Sequence, residues 1–120
     1  MKTRVPPNSI ESEEAVIGSI LIDPDVVPDV MELLTGRDFY SRKNQLIFST
    51  MEKLFDEGSP VDIVSVTERL RTGGVLEEVG GEVELAKLAD VVPTSANFFY
   101  YGKTVKEKSL LRSLIAAASS

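Results

Sequence analysis

The sequence predicts an all-α fold, and three observations carry that prediction. Apolar residues recur at helical spacing along nearly the whole chain. Residues that cap helix starts, and glycines and prolines that end helices, fall between those stripes. Strict two-residue alternation is missing, although valine is abundant and lowers helix propensity locally.

The elements follow in order. After "PPNS", Asn8 or Ser9 can cap a helix whose first turn is acidic (Glu11, Glu13, Glu14), as the helix dipole favours. Val16, Ile17, Ile20 and Leu21 form its apolar face. A second helix begins near Asp25, because Pro28 is tolerable only in a first turn. Val26, Val27, Val30, Met31, Leu33 and Leu34 give it the same rhythm. Ser41 can cap a third helix, striped by Leu46, Ile47, Met51, Leu54 and Phe55 until Gly58 stops it. Asp62 caps the next, where Ile63, Val66 and Leu70 run to Gly73-Gly74. Val83, Leu85, Leu88 and Ala89 suggest one more short helix before Pro93. Thr94 or Ser95 is expected to cap the last and longest helix.

Composition bounds the chemistry. The 120 residues, 42% of them hydrophobic, are one domain's worth and can bury a modest core. There is no cysteine and no histidine. Disulfides and thiolate metal sites are therefore excluded, along with the commonest general base and metal ligand. No apolar run approaches a membrane span, and "MKTRVPPNS" lacks the apolar stretch of a signal peptide. The expectation is a cytoplasmic protein with no membrane association. Charge is uneven: residues 1–97 carry 9 Lys and Arg against 18 Asp and Glu, whereas 98–120 carry four cations against Glu107 alone. So acidic a body repels a phosphate backbone and suits a basic protein partner.

Each candidate motif has to survive its plain reading. "NFFYYGKT" ends like a phosphate loop, but the first glycine is replaced by Asn97, and four bulky aromatics supply neither strand nor flexible loop. Lys103 reads as a solvated helix residue. "DPDVVPD" fails as a calcium loop because Val27 and Pro28 fall where a ligand and the turn glycine belong. The pairs Glu13-Glu14 and Glu77-Glu78 read as solvated faces. "LFDEGSPVDIVSVTERLR" has the layout of a helix-turn-helix, yet Arg69 and Arg71 sit at the far end of its second helix, away from where bases are read. Plain helix packing accounts for it.

The four aromatics "FFYY" are half of the chain's eight. Successive helix residues rotate by about 100°, so these four nearly circle the axis. Phe98, Tyr101 and Val105 share one face, whereas Leu110, Leu111, Leu114 and Ile115 lie mostly on the opposite one. The first group is expected to anchor the helix to the preceding helices. The second is expected to be an oligomer interface, because one core cannot bury both. Stacking on bases is the rival reading, but it requires a basic groove that this chain lacks.

"PPNSIESEEAVIGSIL", "DFYSRKNQLIF", "GSPVDIVSVTERL", "LEEVGG" and "VPTSANFFYYGKTVKEKSLLRSLI", in that order, resemble the N-terminal domain of the bacterial replicative DNA helicase, DnaB type. The resemblance covers essentially the whole chain. It departs at Asn44, where the family pattern more often shows histidine; a local surface or packing contact is all that this puts in question. The resemblance implies a compact multi-helix head, residues 1–95, followed by the first helix of a truncated helical hairpin, residues 96–120. It implies self-association as dimers within a hexamer (a trimer of dimers) and docking of primase through its helicase-binding region. It places ATP, Mg and catalysis in a RecA-like C-terminal domain absent from this chain, so the chain is expected to be a portion of a longer protein with no catalytic, cofactor-binding or metal residues of its own. DNA would be met only through the assembled parent ring. A free-standing helix-turn-helix regulator is the alternative from a different class.

Overall fold

The computed structural model describes residues 4–119; residues 1–3 and 120, at the ends of the two segments expected above, lie outside the described residues. Six α-helices carry the fold: α1 (Ile10–Ile22), α2 (Val27–Leu33), α3 (Arg42–Asp56), α4 (Ile63–Thr72), α5 (Gly81–Leu88) and α6 (Phe98–Ser119). Two single 3₁₀ turns, Pro24–Val26 and Gly36–Asp38, flank α2. No strand occurs among the described residues.

Local chemistry sets most of the boundaries. Ser9 caps α1 by accepting the Ser12 amide at 3.2 Å, Ser41 caps α3 through the Asn44 amide, and Asp62 caps α4 through the Ser65 amide at 2.8 Å. Pro28 sits in the first turn of α2, where its missing N–H is not needed. Gly58 and Gly74, both with φ of +75°, turn the chain after α3 and α4. The start of α6 differs from expectation. The helix begins at Phe98, and the Ser95 hydroxyl is drawn away to donate to Asp23 at 2.6 Å.

Helix α1 is the central element and packs on α3, α5 and α6. Its middle is buried all round: Ala15, Gly18 and Ser19 are enclosed along with Val16, Ile17 and Ile20. A helix enclosed on every side needs its polar groups satisfied, and the Ser19 hydroxyl donates to the Ala15 carbonyl at 2.8 Å. Gly18 permits the crossing with α5, since a Cβ there would stand 2.5 Å from the Leu88 carbonyl oxygen. The rest of the core gathers Leu34, Phe39, Phe48, Met51, Leu54, Val66, Leu70 and Leu85 around α1, with the Phe39 and Phe48 rings stacked at 4.5 Å. Two residues of the expected stripes face outward: Phe55 and Val83 are both exposed.

Candidate assembly surface

The last helix meets the head in two chemically different ways. Over its first two turns the attachment is apolar. Phe98 and Tyr101 are half-buried against the core, and Val105 is 1% exposed. Gly102 is buried between them, and a Cβ on it would stand 2.7 Å from Leu33 Cδ2. The glycine of "GKT" is therefore a packing glycine that lets α6 approach α2. Phe99 and Tyr100 point away and are exposed, with the Lys103 ammonium 6.0 Å from the Phe99 ring centroid.

Past Val105 the attachment becomes polar. Asp38, only 7% exposed, accepts the Ser109 hydroxyl at 2.7 Å, Lys106 Nζ at 3.4 Å and the Thr35 amide at 2.8 Å. Arg112 donates to the Pro7 and Asp38 carbonyls at 2.8 and 2.7 Å and lies 5.5 Å from the centroid of the Tyr40 ring. Lys106, Ser109 and Arg112 fall at i, i+3 and i+6, on the same side as Val105. Two of the four cations of residues 98–120 are thus committed within the chain. None of these polar partners was legible in the sequence, because Asp38 lies 71 residues from Ser109.

The opposite side of α6 is exposed. Leu110, Leu111, Leu114 and Ile115 are 54, 44, 67 and 53% exposed. Four large aliphatic side chains over six residues make a contiguous apolar surface on a projecting helix. It adjoins a cleft of about 490 Å³ lined by Val5, Pro6, Pro7, Arg112, Ile115 and Ala116. Another apolar groove lies between α4 and α5, floored by Ile63, Val64, Val83 and Ala86 and rimmed by Glu68, Arg71 and Glu82.

The acidic residues divide by environment. Glu13 is not a solvated residue of the first turn: it is 1% exposed and accepts the Tyr40 amide at 2.7 Å, the Ser41 amide at 3.3 Å and Asn44 Nδ2 at 3.0 Å. Asn44 is likewise fully buried, so the departure at that position is a core substitution and no surface contact. Its Oδ1 has no hydrogen-bond partner. Glu14 is part of a bridge in which Lys43 reaches it at 2.8 Å and Glu84 at 2.6 Å, tying α1, α3 and α5. Burial alone would lower the Lys43 pKa, but its hydrogen bonds to the two carboxylates and their charges outweigh that, and the net shift is upward. The Glu52 carboxyl is pushed up by burial and by the neighbouring charges of Asp56 and Asp38, against the opposing Gly36 N–H bond. Among the described residues, no cluster of three or more acidic, histidine or cysteine side chains is arranged to hold a metal ion, and no helix is long and apolar enough to cross a membrane.

Fold and surface together define a class: a small all-helical head from which one helix projects, apolar on its outer side and clamped on its inner side. Within that class the chain belongs to the family of the DnaB-like helicase N terminal domain, whose profile matches residues 5–107. It is 48% identical over 117 residues to the replicative DNA helicase DnaB of Geobacillus stearothermophilus, covering 98% of this chain and 26% of that protein. It is 45% identical over 120 residues to the replicative DNA helicase DnaC of Bacillus subtilis (strain 168), again 26% of that protein. The chain thus spans about a quarter of the length of these curated relatives. Among solved structures, the N-terminal domain of DnaB helicase from Mycobacterium tuberculosis superposes with a TM-score of 0.89 at 37% identity, covering 96% of this chain and 83% of that one. A DnaB-like replicative helicase whose structure was described with its interactions with primase superposes at 0.84 and 32% identity, over 92% of this chain and 26% of that one. Nothing in these comparisons supports a helix-turn-helix regulator, and the outer face of α4, with Val64, Glu68 and Arg71, is not a basic reading surface.

Proposed function

We propose that the chain is the non-catalytic accessory and assembly domain of a replicative DNA helicase. It associates through α6 as dimers within a hexamer, a trimer of dimers, and docks the helicase-binding region of primase at the replication fork. The observation that carries this reading is the exposed row Leu110, Leu111, Leu114 and Ile115, on a helix whose other side is already committed to the head. Family membership supports it. Residues 1–95 serve as the head and residues 96–120 as the start of a helical hairpin, with Phe98, Tyr101 and Val105 holding the hairpin to the head. ATP, Mg and the motor belong to a further domain of the parent protein, DNA is met only through the assembled ring, and the protein works in the cytoplasm.

The docking half of the reading rests on charge as well as kinship. Residues 1–97 carry twice as many acidic as basic side chains, 18 against 9. Such a body attracts a basic partner over a distance set by ionic strength. Titration calorimetry of this chain with the helicase-binding region of primase tests it at low and high salt. Saturable heat that weakens as salt rises is expected. No heat at low salt would remove primase docking from this chain, and salt-independent binding would remove the electrostatic contribution.

A further inference from the structure

We infer that Asp38 and Arg112, with Lys106 and Ser109, form a polar clasp that sets the direction in which α6 presents its outer face. They are positioning residues for assembly, and the inference rests on the reading of α6 as the association helix. Three observations carry it.

First, Gly102 and Val105 are the buried residues of α6, so apolar burial stops at Val105. From there to Ser119 the helix runs a further 14 residues, about 21 Å at 1.5 Å per residue. A tilt of about 20° about Val105 would displace its end by about 7 Å over that length. Apolar packing ahead of the pivot does not control such a tilt; contacts beyond it do.

Second, the hydrogen bonds of Lys106, Ser109 and Arg112 beyond the pivot meet at Asp38, with one more to Pro7. Ser109 and Lys106 meet the Asp38 carboxylate, and Arg112 meets the Asp38 carbonyl and the Pro7 carbonyl. The carboxylate is itself fixed: it is buried and takes the Thr35 amide at 2.8 Å. Arg112 further joins the segment entering α1 to the turn before α3, so one guanidinium fixes the helix against two separate segments. Bonds between ionised donors and fixed acceptors are directional, which apolar contacts are not.

Third, none of the four clasp residues belongs to the outer row. The same geometry that seats Lys106, Ser109 and Arg112 inward turns Leu110, Leu111 and Leu114 outward. Loss of the clasp therefore leaves every side chain of the outer face intact and alters only its bearing. Association should weaken because a smaller fraction of molecules holds the competent orientation.

The chain has no cysteine, so Thr72→Cys and Ser113→Cys, both at exposed positions, accept nitroxide labels for a head-to-helix distance. Measured in labelled protein diluted with unlabelled chain, the parent sequence should give one narrow distance peak. Asp38→Asn and, separately, Arg112→Gln should broaden or split that peak while unfolding stays a single transition. Sedimentation of the unlabelled variants should show the apparent dissociation constant of the dimer rising about 25-fold if the competent fraction falls to about a fifth, because both partners must hold the competent orientation. Leu114→Asp should weaken association too, but with the distance peak unchanged. An unchanged narrow peak in Arg112→Gln, whose side chain bonds only carbonyl oxygens, overturns the clasp, and this variant decides the matter should Asp38→Asn fail to fold. Undiminished association of Leu114→Asp would instead overturn the assembly reading, leaving the clasp to be judged on the distance peak.

Discussion

Glu13 holds more of the head together than its place in the sequence suggests. It gives one buried carboxylate to three donors: the Tyr40 and Ser41 amides and Asn44 Nδ2. Glu13→Ala would strand the buried Asn44 Nδ2, an unsatisfied buried group costing about 1–3 kcal/mol, while the part-buried Tyr40 and Ser41 amides can turn to water. Urea unfolding should show a loss of about 1–3 kcal/mol on that basis, and Glu13→Gln, which retains one acceptor oxygen, should lose less. Gly102→Ala should be close to neutral. Alanine ordinarily gains about 1 kcal/mol over glycine inside a helix, but the added methyl would sit 2.7 Å from Leu33 Cδ2, the movable end of a half-buried side chain. Displacing that methyl offsets the gain, and a melting temperature close to that of the parent sequence in calorimetry checks it. At Lys43 the folded pKa is raised, so its stabilising contribution is complete below the unfolded value of about 10.4. It is lost as pH climbs through the higher folded value. Lys43→Met should therefore lower stability at neutral pH by no more than about 1 kcal/mol, the bridge being partly open to solvent. The gap to the parent sequence should narrow above about pH 10, as thermal melts across that range would record. Residues such as Ser9, Ser41 and Asp62 were legible in the sequence because a cap bonds an amide three residues away. Glu13 was not, since its partners lie 27 to 31 residues on and its acidic first-turn position already had a local explanation.

At the scale of elements, α6 combines two surfaces and two modes of attachment. Its aromatics split as helix rotation requires: Phe98 and Tyr101 turn toward the core, while Phe99 and Tyr100 turn away. The exchange of apolar for polar on the inner side was half legible. The outward move of the leucines can be read from spacing alone, but the identity of what replaces them inside depends on Asp38 arriving from a distant turn. The two halves should respond differently to mutation. Phe98→Ala should lower the melting temperature and cost less stability than the about 3–5 kcal/mol of a fully buried ring, because Phe98 is only half-buried. Leu111→Asp should leave the melting temperature of the head close to that of the parent sequence, since its side chain is 44% exposed. Equal destabilisation by both would mean that one intramolecular core spans the whole helix. The central helix α1 was legible as a helix but not as the centre of the fold. Its polar Glu13 and Ser19 mimic a solvated face until their hydrogen bonds are known.

Over the whole molecule, the long axis of 44 Å against 31 and 26 Å reflects a head with one projecting helix. The inner side of α6 completes the core through Val105, Phe98 and Tyr101, which leaves its outer face exposed to meet another molecule. A second copy of the chain is the occupant proposed here, and concentration is the variable that exposes it. Sedimentation velocity across a range of concentrations, comparing the parent sequence with Leu111→Asp/Leu114→Asp, is the most direct measurement. The parent sequence is expected to shift from monomer toward dimer as concentration rises, while the double variant stays monomeric with an unchanged helical spectrum. A concentration-dependent dimer that survives both aspartates would contradict the account and place the contact on the heads.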